Sequence, residues 1–226
     1  MKMRTLGTNL QVFAVGLGCM GMNHAYGEQS TKAEAQKLIE TAIENGCTFF
    51  DTAEVYGEPD NPHHNEEMLG KILKPYRNQI TIATKFGVKF DLFAPTVNKP
   101  VIPDSCPEQI RKSVEGSLKH LQTDHIDLYY QHRQDPEIPV EEVAGMMAEV
   151  IQEGKITHWG LSEVNEETIR KAYLVPILGT RKLNRLTENL GSADVELTAE
   201  ENSAIDKAFE TMEMSEVFGG AKIIRK

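Results

Sequence analysis

Short apolar runs alternate with longer amphipathic stretches along most of the chain. The runs AVGLGCM, CTFFD, ITIATK, HIDLYYQH, ITHWGLSE and YLVPILG are rich in β-branched and aromatic residues, and each is too short to be a buried helix. They predict strands at 13–20, 47–51, 79–85, 125–131, 156–161 and 173–178. Between them, QIRKSVEGSLKHLQ places Ile110, Val114, Leu118 and Leu121 on one helical face. VEEVAGMMAEVIQEGK reads as a second amphipathic helix, stopped by Gly154. Thr31 with Glu34, Ser105 with Glu108 and Thr198 with Glu201 have the spacing of capping boxes, the middle one reinforced by Pro107. MRTLGTNLQVFA reads as a hairpin turning at GTN. The stretch 87–104, GVKFDLFAPTVNKPVIPD, has no period and is expected to be a long loop, a feature more often functional than accidental.

Near-continuous apolar strands alternating with helices imply a parallel sheet covered by helices. The strands also share an asymmetry: they begin apolar and end polar, at Asp51, Lys85, His132, Ser162 and Thr180. A (β/α)8 barrel gathers its functional groups at the strand C-termini. A doubly wound sheet does so too, but ordinarily carries G-x-G-x-x-G after its first strand. The first strand here ends in GLGCMGM. The expected fold is therefore α/β, of the (β/α)8 TIM-barrel type with an N-terminal β-hairpin, as one domain over residues 1–226.

Charge and cysteine content narrow the partners. The 226 residues carry a net charge of -10, from 34 acidic and 24 basic side chains, which argues against nucleic acid or an anionic membrane as partner. The apolar run LQVFAVGLGCMGM follows the polar GTN and has no A-x-A site after it, so it reads as strand and not as a secretory signal. Cys19, Cys47 and Cys106 form no CxxC, and a reduced, cytoplasmic setting is expected.

Three consecutive predicted strands deliver a carboxylate, an ammonium and an imidazole (Asp51, Lys85 and His132) to one rim, with the phenol of Tyr56 in the loop beside them. Taken singly, each reads as an ordinary rim or structural residue. Together they can make tyrosine a workable acid. A phenol releases its proton reluctantly at neutral pH, and a neighbouring ammonium stabilises the phenolate. A carboxylate keeps that ammonium charged, and an imidazole can orient a substrate oxygen by hydrogen bonding.

The segments GCTFFDTAEVYG, ITIATKFG, DLYYQHR and ITHWGLSE, in this order, resemble the aldo-keto reductase superfamily. The resemblance implies an NADPH-dependent barrel that reduces aldehydes or ketones, with Tyr56 as general acid and Asp51, Lys85 and His132 completing a catalytic tetrad. It implies a small-molecule carbonyl substrate and no metal; His63 and His64, in the loop EPDNPHHNEE, are read as surface residues. The segment GTRKLNRLTENL independently sets a Gly-Thr turn and three cations at a helix start, a suitable place for a phosphate. An ordinary cationic helix face is the competing interpretation. By resemblance, Thr180, Arg181 and Arg185 meet the cofactor phosphates, Glu188 and Asn189 the adenine, and Ser162 the nicotinamide carboxamide. Many members have Asn after that serine, where this chain has Glu163.

Six strands do not close a barrel that needs eight. The resemblance runs from residue 1 to Ala172 and resumes at Tyr173 with what looks like the eighth strand, and no Gly or Pro separates the two. The shortfall is on the order of a hundred residues, strands six and seven with their helices. By resemblance, the missing stretch supplies a ring that stacks on the nicotinamide and an amide that holds it. Three origins fit: part of a longer chain, a deletion whose product folds poorly, or a stable short form whose open edges self-associate with another chain. The alternative function is a non-catalytic nucleotide-binding regulatory subunit, or an inactive truncated remnant of the family.

Overall fold

The structure is a computed structural model; it describes residues 2–7, 9–24, 28–96, 99–163, 177–179, 198–210, 214–217 and 221–224. The chain opens with an antiparallel hairpin, β1 (Met3–Leu6) and β2 (Leu10–Phe13). The parallel strands follow: β3 (Gly16–Gly18), β4 (Phe49–Asp51), β5 (Thr81–Phe86), β8 (Ile126–Gln131), β9 (Ile156–Leu161) and β10 (Ile177–Gly179). Between β5 and β8 lies a small antiparallel pair, β6 (Val88–Phe90) and β7 (Val101–Pro103). The long-loop expectation for 87–104 is thus corrected: the segment leaves and returns as a hairpin. Its pairing is easily missed because each strand is three residues long, below the length at which a period shows.

Helices α1 (Lys32–Glu44), α2 (His64–Leu73), α3 (Pro107–Leu121) and α4 (Val140–Gln152) connect the strands, and α5 (Ala199–Glu210) follows near the C-terminus. A last pair, β11 (Met214–Val217) and β12 (Ala221–Ile224), is antiparallel. The capping boxes at Thr31–Glu34 and Thr198–Glu201 form as expected, each with reciprocal bonds. The one at Ser105 does not. Cys106 is the N-cap of α3 and Pro107 its first residue, while the Ser105 hydroxyl accepts from Gln131 Nε2 at 3.0 Å. Among the described residues no helix is long and apolar enough to cross a membrane.

The spatial order of the parallel sheet is β10-β3-β4-β5-β8-β9. Strands follow one another in chain order, without the reversal that marks a doubly wound sheet, and the late strand β10 lies beside the first, β3, with Ile177 opposite Gly16. That is the neighbour an eighth barrel strand has. Among the described residues, β9 and β10 each pair on one side only, so the gap falls where strands six and seven were expected. The boundary between Ala172 and Tyr173 lies outside the described residues.

Alternation sorts the strand side chains into two layers. Phe49, Ala83 and Leu128 face inward and meet Leu10 and Val12 of the hairpin. Phe50, Ile82 and Phe86 face outward against Leu38 and Ile39 of α1, Leu69 and Ile72 of α2 and Ile110 and Val114 of α3. Helices α2 and α3 touch at backbone distance: a Cβ on Gly70 would lie 2.4 Å from the His120 carbonyl oxygen.

The strand ends are tied by one buried amide. Asn65 of α2 donates from Nδ2 to Cys19 O (3.0 Å) and Asn23 Oδ1 (2.8 Å), and its Oδ1 accepts from the Thr52 hydroxyl (2.6 Å). Asn65 thus holds the chain leaving β3 against the chain leaving β4. Asn65→Leu removes all three bonds while keeping bulk, and is expected to cost about 3 kcal/mol in denaturant unfolding. The exposed neighbour Lys71→Ala should stay within about 0.5 kcal/mol of wild type.

Candidate active site

Register brings three of the sequence-selected groups to one rim. Asp51, the last residue of β4, lies opposite Ala83, so Lys85 on the same face of β5 projects just above it. Lys85 lies opposite Tyr130 of β8, and His132 follows two residues later, its N–H bonded to Phe86 O at 2.8 Å. Tyr56 arrives by a tight turn after β4, with its N–H on Ala53 O at 3.2 Å. The next residue has no room for a side chain: a Cβ on Gly57 would lie 2.1 Å from Asn61 O.

Lys85 organises the group. Its Nζ donates to Asp51 Oδ2 (2.5 Å), Thr52 O (2.8 Å) and Tyr56 Oη (3.1 Å), which uses all three ammonium hydrogens. Because the phenol oxygen accepts from Lys85, its own proton points away from the ammonium. The imidazole of His132 meets the Tyr56 ring edge-on, with centroids 5.7 Å apart at 84°.

Burial and charge then set protonation states. Burial alone pulls the Lys85 ammonium down, but the Asp51 carboxylate and the Tyr56 oxygen outweigh it and hold the pKa above its ordinary value. Burial pushes Asp51 up, and Lys85 opposes that rise. Burial and then the charges of Lys85, Arg133 and His24 pull His132 down to about 3, so its ring is neutral at physiological pH. His132 Nδ1 and Asp51 Oδ1 are buried and have no hydrogen-bond partner among the described residues.

Ser162, just past β9, is fixed to this rim by its N–H on Gln131 O at 3.0 Å. Glu163 after it is left-handed, at φ 54°, a conformation that suits Asn better than Glu. Its carboxylate lies 3.3 Å from Arg133, the residue after His132. The proposed phosphate and adenine residues Thr180, Arg181, Arg185, Glu188 and Asn189 lie outside the described residues.

A family profile described as "Aldo/keto reductase family" matches residues 14–174, most of the chain. The chain belongs to the aldo/keto reductase family. A probable aldo-keto reductase of Glycine max is 41% identical over 172 residues, covering 75% of this chain and 47% of the relative. The chain therefore spans about half the length of that curated relative. Among solved structures, an aldo-keto reductase from Bacillus halodurans in its holo form superposes with TM-score 0.74 at 23% identity, over 92% of this chain and 96% of that one. A glycerol dehydrogenase from Gluconobacter oxydans superposes with TM-score 0.63 at 29% identity, over 78% and 54%. The fold of this aldo/keto reductase chain is that of a (β/α)8 barrel, with six of its parallel strands described. The family match ends at residue 174, beside the boundary at which the sequence resemblance breaks.

Sequence reading did not anticipate a second polar layer, directly behind the first. Glu54 and Glu66 are 4% and 0% exposed. Glu66 accepts from the Thr84 hydroxyl (2.7 Å) and pairs with His63 Nδ1 (2.8 Å). His63 stacks on His120 at 4.3 Å, so it is a half-buried partner of Glu66 and not the loose surface residue expected. The signal was available in its position three residues ahead of Glu66 at the start of α2. Burial, with a further push from Glu66, raises Glu54 to about 8 despite a hydrogen bond from Ser113 and the charge of His63. Its peptide N–H is bonded to Lys85 O at 3.2 Å. Since the folded pKa is raised from 4.5 to about 8, the contribution of Glu54 to stability is full below the unfolded value and lost as pH rises through about 8. Melting temperatures of wild type should therefore fall between pH 5 and pH 9, and Glu54→Gln should flatten that decline.

Proposed function

We propose that this chain carries the catalytic half-site of an NADPH-dependent reductase that converts an aldehyde or ketone to an alcohol. The observation that supports this best is the saturated Lys85 ammonium, bonded at once to Asp51, the Thr52 carbonyl and Tyr56. Tyr56 protonates the substrate oxygen, and the ammonium 3.1 Å away stabilises the phenolate left behind. Asp51 keeps Lys85 charged and aimed in a pocket where the lysine is 8% exposed. His132, held neutral, donates one N–H to the same carbonyl oxygen and orients it toward the phenol. NADPH, when bound, supplies the hydride to the carbonyl carbon.

The residues present fit such a cofactor. The unpartnered Nδ1 of His132 and the hydroxyl-bearing Ser162 lie on one rim, polar groups where a carboxamide would sit. Ser162 would hold the nicotinamide carboxamide. Thr180, Arg181 and Arg185 would meet the phosphates, the cations favouring a 2′-phosphate and hence NADP over NAD, and Glu188 and Asn189 would meet the adenine. The free cysteines Cys19, Cys47 and Cys106 support a reducing, cytoplasmic setting.

The test is NADPH oxidation with a panel of aldehydes and ketones, read as loss of NADPH absorbance. Tyr56→Phe should lower kcat by about 10²–10⁴-fold, with the Kd for NADPH within about threefold of wild type. Tight NADPH binding with no turnover on any carbonyl would favour a non-catalytic nucleotide-binding subunit. An unchanged rate in Tyr56→Phe removes the phenol from the chemistry.

A further inference from the structure

His24, from the segment after β3, lies against Tyr56 although no part of the tetrad reading requires it. Its ring is 6.2 Å from the Tyr56 ring and inclined by only 20°, an offset stack. Phe90 of β6 also lies near it, with ring centroids 6.5 Å apart and tilted by 60°. Its Nδ1 lies 3.0 Å from Gly57 O, the carbonyl of the residue after Tyr56. A carbonyl oxygen only accepts, so Nδ1 carries the proton whatever the charge of the ring.

Three further hydrogen bonds hold the residues around His24. Its neighbour Asn23 is 2% exposed and takes a hydrogen bond from the buried Asn65 at 2.8 Å. Ser30 N–H closes the segment on Met22 O at 2.7 Å, and Gln29 reaches Glu58 at 3.4 Å. His24 and Gln29 therefore meet the Tyr56 loop at two successive residues, Gly57 and Glu58. The Tyr56 loop has its own limit: Gly57 has no space to move toward Asn61, where a Cβ would already clash.

We infer that His24 is a positioning residue for Tyr56, acting through its Nδ1–H on the Gly57 carbonyl to fix the backbone immediately after the phenol. The inference rests on Tyr56 being the general acid. Lys85 holds the phenol oxygen at 3.1 Å and His132 meets the ring edge-on, while the His24 bond fixes the backbone beside the phenol and the stacked His24 ring bounds its face. A misplacement of about 1 Å at a reacting group is enough to cost roughly two orders of magnitude in rate.

Two substitutions separate the bond from the ring. His24→Phe keeps an aromatic ring and removes the donor; His24→Asn removes the ring and returns an N–H donor at the position of Nδ1. With Tyr56→Phe as the reference for lost chemistry, His24→Phe should lower kcat by about tenfold or more, leaving the Kd for NADPH unchanged. His24→Asn should recover kcat to within about threefold of wild type. Amide hydrogen exchange over residues 53–62, measured without cofactor, should rise in His24→Phe and return toward wild type in His24→Asn. A wild-type kcat and exchange rate in His24→Phe overturn the inference, as does a His24→Asn variant as impaired as His24→Phe. If Tyr56→Phe keeps its rate, the reading beneath the inference fails; if only the His24 variants behave like wild type, the inference fails alone.

Discussion

An ammonium buried to 8% exposure persists only if every one of its hydrogens is accepted and its charge is opposed. Lys85 meets both conditions with Asp51, the Thr52 carbonyl and Tyr56, and much of the local architecture follows from that requirement. Asp51 must end β4 on the inner face, β4 must pair with β5 in the register that puts Asp51 opposite Ala83, and the chain after Asp51 must turn at once to return a carbonyl and a phenol. A one-residue slip between β4 and β5 would turn Lys85 to the helix side, away from Asp51, the Thr52 carbonyl and Tyr56.

The same strands carry a different chemistry on their outer face. Thr84, one residue before Lys85, bonds to Glu66, and Glu54 lies behind the turn that carries Tyr56. Two acid groups behind the rim are kept apart in character: Glu66 is paired with His63 and Thr84, while burial holds Glu54 up at about 8. His132, likewise held neutral chiefly by burial, completes a rim with one cation and one anion.

The parallel sheet shows how much of a barrel the site needs. The four site groups come from β4, the loop after it, β5 and the end of β8, which are adjacent and fully paired with one another. Among the described residues, the strands paired on one side only are β9, which Ser162 follows, and β10. Asp51, Tyr56, Lys85 and His132 are therefore framed by paired strands on both flanks, and Ser162, proposed to meet the cofactor, follows a strand paired on one side among the described residues.

The sequence by itself determined the short apolar strands, the helices between them and the polar residues at strand ends, because burial pattern and capping are local. It therefore named Asp51, Tyr56, Lys85 and His132, and the resemblance gave 173–178 as an eighth strand, of which the described part falls in β10, paired with β3. Only the tertiary structure decided what Ser105 bonds, since Gln131 competes for its hydroxyl with the N-terminus of α3. It alone decided that 87–104 folds back as a hairpin, and that His63 joins Glu66 and His120. The roles of Glu54 and His24 likewise depend on which residues distant in sequence are packed against them: Glu66 and Ser113 for one, the Gly57 carbonyl for the other. Local patterns fix which face a side chain takes; a pKa or a hydrogen bond across 33 residues is fixed only when packing removes water and selects the partner.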